Sequence, residues 1–313
     1  MIISKPYVRL VHETDPLKKI EYCARVCYAS QDRIGEETAK PFVSGIMKRG
    51  HTSVIEHVNI VVKAANYPTI ENLRYIIHAY EQRTGIPSYI RNAEPGHSDE
   101  YFSGNARAWY SILQTFPNEI VLNVLFREYP LFADFFQNVD LDYVVPMNAE
   151  AEIIPESRFL PDLHRTITAE IKCSRGISHE LVRHRLLSPT QMSTRYVNSR
   201  NLEVIEPWWY RDESFEKAES IGWVFQNAVY SAELYYNDYL EQGAVPQLAR
   251  GVLPNDTATV ILLTGNLPAW QHFLDLRLDR AAHPDMQRIA KLFVDATEKE
   301  GYKWANTDTT PHG

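Results

Sequence analysis

The chain is short of cysteine, has no basic excess and contains no long apolar run, and each shortage removes a class of function. Three cysteines in 313 residues (Cys23, Cys27 and Cys173) are too few for a disulfide scaffold and show no paired metal-ligand spacing. Acidic residues outnumber basic ones by 40 to 32, a formal net charge of −8, which lacks the basic footprint of a general nucleic-acid binder. No apolar stretch approaches the ~20 residues needed to cross a bilayer. The opening Met1-Ile2-Ile3-Ser4-Lys5-Pro6 lacks the long apolar core of a secretory signal. What is plentiful argues for order: 18 Tyr, 12 Phe and 6 Trp, with 44% hydrophobic residues overall, suffice for a full core. The expectation is a cytoplasmic globular enzyme acting on small molecules, with neither nucleic acid nor membrane as partner.

Local signals divide the chain. Asp15 is placed to cap a helix that begins at Pro16 and puts Ile20, Cys23, Ala24 and Cys27 on one face. A second helix runs through Phe42, Val43, Ile46 and Met47 and stops at Gly50. Val58 to Val62 is short and β-branched and reads as a strand. Residues 66–165 change in character. Helical patterns through Ile70, Leu73, Ile76, Ile77 and Tyr80 are broken by Pro87, by Pro95-Gly96 and by an aromatic stretch near Tyr129–Phe136. This reads as a largely helical insertion packed on a single domain. Thr166 to Cys173 alternates and predicts a half-buried strand. A long helix is expected from about Ser214 to Gln242 with its aromatic residues buried, and two more over Pro268–Leu276 and Pro284–Lys299, before a polar tail from Thr307. A weak internal echo links Ser103-Gly104-Asn105-Ala106-Arg107-Ala108-Trp109 to Thr264-Gly265-Asn266-Leu267-Pro268-Ala269-Trp270. Seven residues are too few to establish a duplication.

The chemistry concentrates in Arg183-His184-Arg185-Leu186-Leu187-Ser188-Pro189-Thr190-Gln191-Met192-Ser193-Thr194-Arg195-Tyr196. Between Leu181 and Asn201 there are four arginines and no carboxylate, a positive island in an acidic protein, suited to a phosphate or to acidic neighbours. Ser174 can cap a short helix leading into it, and Pro189 disfavours helix at Ser188, so the chain is expected to leave the helix just after Arg185 and form a hydroxyl-rich binding loop. Two other chemistries fail on spacing. His179 and His184 lie five apart, roughly 140° around a helix, and do not share a metal as an i, i+4 pair does. Ser193 lacks the glycine-flanked elbow of a hydrolase nucleophile.

Arg-His-Arg followed by seven residues and a serine resembles the signature of the flavin-dependent thymidylate synthase (ThyX) family, and residues 183–193 match it without a gap. His51 through Glu56-His57, Ala249-Arg250-Gly251-Val252-Leu253-Pro254, and Asn266 with His272-Phe273-Leu274-Asp275-Leu276-Arg277 resemble its other segments in order. The resemblance implies an α/β (α+β) fold with a central mixed or antiparallel sheet flanked by helices. It also implies FAD as cofactor, dUMP as acceptor, methylenetetrahydrofolate as carbon donor, NADPH as reductant, and a homotetramer with shared sites. Carried over residue by residue, Ser53, Arg183, His184, Arg185, Gln191, Asn266 and His272 would hold flavin. Glu180, Arg183, Gln191, Ser193, Arg195, Arg250 and Arg277 would contact the nucleotide. Arg277, His51 and Ser193 would lie nearest the chemistry.

Such residues suit the problem. Uracil C5 is a poor nucleophile, and no Pro-Cys-His motif is present to activate it by thiol addition. A guanidinium set against the pyrimidine carbonyl and N3 would instead favour the electron-rich anionic ring. The chain departs from the family pattern at Gln191-Met192, where many relatives carry glutamate, and at Asn266-Leu267-Pro268, where an arginine is replaced by proline. Asn105-Ala106-Arg107 is a candidate replacement, and Ala282-His283-Pro284-Asp285-Met286 also differs from the usual ending. Two other readings stay open here: transfer of a hydroxymethyl or other group to a pyrimidine nucleotide, and a catalytically idle nucleotide-binding or assembly protein.

Overall fold

The computed structural model describes residues 1–92, 100–116, 151–155 and 159–307. Strands β1 (Ile2–Ser4) and β2 (Tyr7–Leu10) precede helices α1 (Pro16–Cys27) and α2 (Ala39–Lys48). Then come β3 (Asn59–Ala64), α3 (Tyr67–Thr84), β4 (Arg91–Asn92), β5 (Glu100–Asn105), α4 (Ala106–Thr115) and β6 (Ala151–Ile154). The remainder contains β7 (Thr166–Ser174), α5 (Arg175–Leu181), β8 (Ser188–Gln191), β9 (Glu203–Ile205), α6 (Ala218–Glu241) and the short α7 (Pro246–Ala249). It closes with β10 (Ala258–Asn266), α8 (Leu267–Arg277) and α9 (Pro284–Glu298). The chain divides into a first unit (Met1–His12, Ala24–Gln31, Ile167–Gly313) and a second (Glu13–Cys23, Asp32–Thr166). The fold is mixed α/β, but among the described residues the expected single central sheet is replaced by two four-stranded sheets and a separate parallel β1–β9 pair.

In the first unit the sheet order is β2-β7-β10-β8, with β2–β7 and β8–β10 antiparallel. Strand β7 is buried on both faces, not half-buried as its alternation predicts. Its apolar positions Ile167, Ala169, Ile171 and Cys173 join Ile261, Leu263, Trp270, Phe273 and Phe293 in one core, where Trp270 stacks on Phe293 at 4.0 Å. Its polar positions are buried because they are paired. Thr168 and Thr264 share a hydroxyl hydrogen bond of 2.7 Å, and Glu170 accepts from the Tyr7 hydroxyl at 2.7 Å and pairs with Arg9 at 2.6 Å. Alternation reports polarity, and a polar side chain with a partner is not thereby exposed.

Two further expectations change. Ser174 caps α5 as foreseen, its Oγ accepting from the Ile177 N–H at 3.2 Å. The helix ends at Leu181, however, before Arg183, and Arg183 and His184 close tight turns by donating to the carbonyls of Glu180 and Leu181. The expected hydroxyl-rich loop at 188–191 is the edge strand β8, where Pro189 is tolerated because an edge strand leaves one side of its ladder unused. On α6 Tyr236 is buried with Gly222 and Val229 and Phe225 packs beside them, whereas Trp223, Tyr230, Tyr235 and Tyr239 face outward, so the expected burial of its aromatic residues holds only in part.

The second unit carries an antiparallel sheet of order β4-β5-β3-β6, to which residues 66–165 contribute β4, β5 and β6 beside the helices α3 and α4. Helix starts follow the local signals: Asp15 accepts from the N–H groups of Leu17 at 2.8 Å and Lys18 at 3.2 Å. Helix α2 stops at Lys48, and Gly50 then turns the chain with φ +74°. Helix boundaries for α8 and α9 agree with the sequence reading to within a residue or two. Pro95-Gly96, the Tyr129–Phe136 stretch and nearly all of the tail lie outside the described residues.

Candidate functional site

In the first unit three of the expected site residues, Glu180, His184 and Arg277, meet at the turn between α5 and β8. Arg277, on the last turn of α8, donates through Nε to His184 Nε2 at 2.8 Å and through Nη1 to Glu180 Oε2 at 2.9 Å. His184 is buried, its ring edge-on to Phe273 at 5.1 Å. Burial lowers its pKa from 6.5 to about 4, helped by the positive field of Arg277 and by His272. The imidazole is therefore neutral, accepts at Nε2 and carries its proton on Nδ1. Glu180 lies at the end of α5 and supplies the negative charge, so one guanidinium is held by a neutral acceptor and a carboxylate at once.

Beside this trio Arg183 and Arg185 are exposed, and neither makes an ion pair among the described residues. Gln191, on β8, donates to Ser178 Oγ at 2.7 Å and Thr259 Oγ1 at 3.3 Å. Ser193 is fixed by its backbone: its N–H donates to the Cys27 carbonyl at 2.9 Å, and its Oγ accepts from the Arg195 N–H at 3.2 Å. Arg195 lies over the Tyr196 ring at 5.3 Å, and Tyr196 in turn meets Tyr28 at 5.3 Å. Asn266 is buried at the start of α8, where its Oδ1 accepts from the Ala269 N–H at 3.1 Å. His272 and Arg250 are exposed. Arg250 acts electrostatically on Arg175, whose pKa is lowered by burial first and by Arg250 second.

His51 and Ser53 belong to the second unit, where they sit exposed at the start of a 3₁₀ turn over Thr52–His57. Arg107, the candidate replacement for the missing arginine, pairs with Glu56 at 2.5 Å in that unit. Sequence reasoning missed the groups that hold the site residues in place, namely Ser178, Thr259, Phe273 and the Cys27 carbonyl. Only Phe273 had a signal, its place between His272 and Arg277. Cys27 and Cys173 are poor candidates for a nucleophile, since burial pushes their thiols up to about 11 and about 12, far from the thiolate range. Among the described residues no group of three His, Cys, Asp or Glu side chains is placed to hold a metal ion.

A flavin-dependent thymidylate synthase of Corynebacterium aurimucosum is 35% identical over 138 residues, covering 41% of this chain and 55% of that one. One from Mycobacterium tuberculosis H37Rv is 34% identical over 127 residues, covering 37% and 51%. The chain thus spans about half the length of the curated relatives it matches. A crystal structure of thymidylate synthase X from Helicobacter pylori with FAD and dUMP matches at 29% identity, over 42% of this chain and 66% of that one, with a TM-score of 0.33. The family model described as thymidylate synthase complementing protein matches residues 9–70 and 162–300, more than half of the sequence. With the arginine signature, its capped helix and the α8 guanidinium all inside those limits, the chain belongs to the thymidylate synthase complementing protein family.

Proposed function

We propose that the chain is a flavin-dependent thymidylate synthase that converts dUMP to dTMP, drawing the carbon from methylenetetrahydrofolate and reducing equivalents from NADPH through FAD. The observation that carries this is the fixed Arg277 guanidinium, held by His184 and Glu180 beside a turn of exposed arginines. The donor set fits a flavin diphosphate and a nucleotide phosphate, because Arg183, Arg185 and Arg195 offer planar multi-donor groups suited to phosphate oxygens. FAD, when bound, supplies the hydride chemistry that no side chain provides. The chain's own residues do the rest. Arg183 and Arg185 hold cofactor phosphate, and Ser193 and Arg195 orient the nucleotide. Arg277 stabilises negative charge on the pyrimidine, and neutral His184 sets its direction without adding a competing positive charge. With the Cys27 and Cys173 thiols held protonated by burial, this guanidinium replaces thiol addition as the means of enriching C5. His51, Ser53, Gln191, Asn266, His272 and Arg250 complete the proposed set.

The test is turnover. Purified protein with FAD, dUMP, methylenetetrahydrofolate and NADPH is expected to yield dTMP, identified by mass. A flavin-loaded preparation that forms no dTMP, or a product of the hydroxymethyl mass, would refute the reading.

Assembly into a homotetramer is part of the same proposal. Trp223 is 69% exposed and Tyr235 60%, on a helix that also presents Tyr230 and Leu234, more apolar surface than a solvated helix carries. The double variant Trp223→Glu/Tyr235→Glu is expected to lower the molecular mass seen by light scattering and to lose most activity with it. An unchanged mass would remove this helix from the interface. No described helix is long and apolar enough to cross a membrane, and a cytoplasmic location is proposed with the activity.

A further inference from the structure

The second unit repeats the frame of the first, and we infer that it is an internal copy from which the anion site has been stripped, leaving one nucleotide site per chain. The short echo in the sequence becomes a set of matching contacts. Asn105 caps α4 by accepting from Ala108 N–H at 2.9 Å, as Asn266 caps α8 from Ala269 at 3.1 Å. Trp109 donates its indole N–H to the Ile60 carbonyl of β3 at 3.2 Å, and Trp270 donates to the Ile167 carbonyl of β7 at 3.1 Å. The histidines three residues before those carbonyls, His57 and His164, are both fully buried.

The neighbouring strands agree in register. Arg91 of β4 lies opposite Ser103 of β5, and Ser188 of β8 lies opposite Thr264 of β10. A Cβ added to Gly104 would meet Ile90 Cδ1, and one added to Gly265 would meet Leu187 Cδ2, so each strand pair sets the tip of an aliphatic side chain against a glycine. One spacing relates Ile90 to Leu187 and Arg91 to Ser188. The helix between the strands begins at a capping side chain in each unit, Asn66 for α3 and Ser174 for α5. It has 18 residues in one and 7 in the other. The excess of eleven is about three helical turns, which returns the chain to the same face. Chance does not align caps, indole bonds, register and glycine contacts together.

Against that common frame the charges differ. The spacing that matches the strands places Ile86-Pro87-Ser88 where the first unit has Arg183-His184-Arg185. It places Arg83 at the position of Glu180, and the count along α4 places Phe116 at that of Arg277. The two positions still touch: Arg83 lies over the Phe116 ring at 5.4 Å, where Arg277 and Glu180 form an ion pair. The contact survives and its anion-directed guanidinium does not. The copy keeps a scaffold and offers no phosphate cradle.

Two experiments on the full chain test this, the second resting on the proposed activity. Without ligand, Gly104→Ala and Gly265→Ala are each expected to lower Tm by at least about 2 °C. Adding Ile90→Val to the first and Leu187→Val to the second should recover part of each loss. Rescue in one unit and not in the other would overturn the shared frame. Equilibrium dialysis of dUMP with the FAD-loaded protein should give one equivalent per chain, unchanged in Arg83→Ala and Phe116→Arg and lost in Arg277→Phe. Two equivalents, or loss of binding in either second-unit variant while Tm is retained, would overturn the stripped copy. No binding at all would overturn the assigned activity and with it the claim of a lost site, while the glycine pairs would still report whether the frame is shared.

Discussion

Arg277→Lys is expected to lower kcat/KM for dUMP by about 10³-fold, with FAD still bound and the fold intact. A lysine keeps the charge and loses the shape. The guanidinium presents Nε to His184 and Nη1 to Glu180 from one rigid plane, which leaves its remaining N–H groups aimed in a fixed direction. An ammonium at the end of a flexible stem holds neither contact in that geometry, and an electrostatic group that must reorganise during the reaction loses most of its effect. The fall should lie mainly in kcat, because the charge on the pyrimidine develops on the way to the transition state. Glu180→Gln retains an acceptor oxygen for Nη1 and should cost about tenfold, since it weakens the alignment and leaves the guanidinium in place. Steady-state kinetics with flavin absorbance and circular dichroism on the same preparations decide the matter. Arg277→Lys within threefold of the parent would show that this side chain serves structure alone.

Acid is expected to destabilise the protein well before its carboxylates titrate, and His57 is the reason. Its ring is fully buried, and burial lowers its pKa from 6.5 to about 3, with a smaller contribution from the positive charge of Lys19. Below pH 6.5 the unfolded chain takes up a proton that the folded chain refuses, so unfolding becomes progressively easier as pH falls toward 3. Above pH 6.5 both states are neutral and the effect vanishes. The full span is on the order of 4–5 kcal/mol. His184, lowered to about 4, adds in the same direction over a shorter range. In His57→Gln, urea unfolding between pH 7 and 4 should show a shallower loss of stability, by close to one proton. Equal slopes for the variant and the parent would assign acid sensitivity elsewhere.

The parts of the fold legible in the sequence are those fixed by near neighbours. Asp15, Ser174 and Gly50 act within three or four residues, so the helix ends they set could be read directly. Strand β10 gives little local signal because its apolar run Val260-Ile261-Leu262-Leu263 has no alternation to betray it. The aromatic face of α6 was placed inward because hydrophobicity gives the stripe and does not say whether the same chain covers it. At the site, the arginine cluster stood out by composition, but Arg277, His184 and Glu180 meet across nearly a hundred positions, and no local signal encodes that contact. The insertion was hardest of all. The internal copy proposed for the second unit rests on hydrogen bonds and register, with only seven residues of sequence to show for it.

Proline at the rim of the first sheet has a further consequence. Strand β8 carries the end of the arginine segment, and Pro189 removes one amide donor from a border where another peptide could otherwise add as a new strand. That margin is therefore guarded against runaway stacking into fibrils.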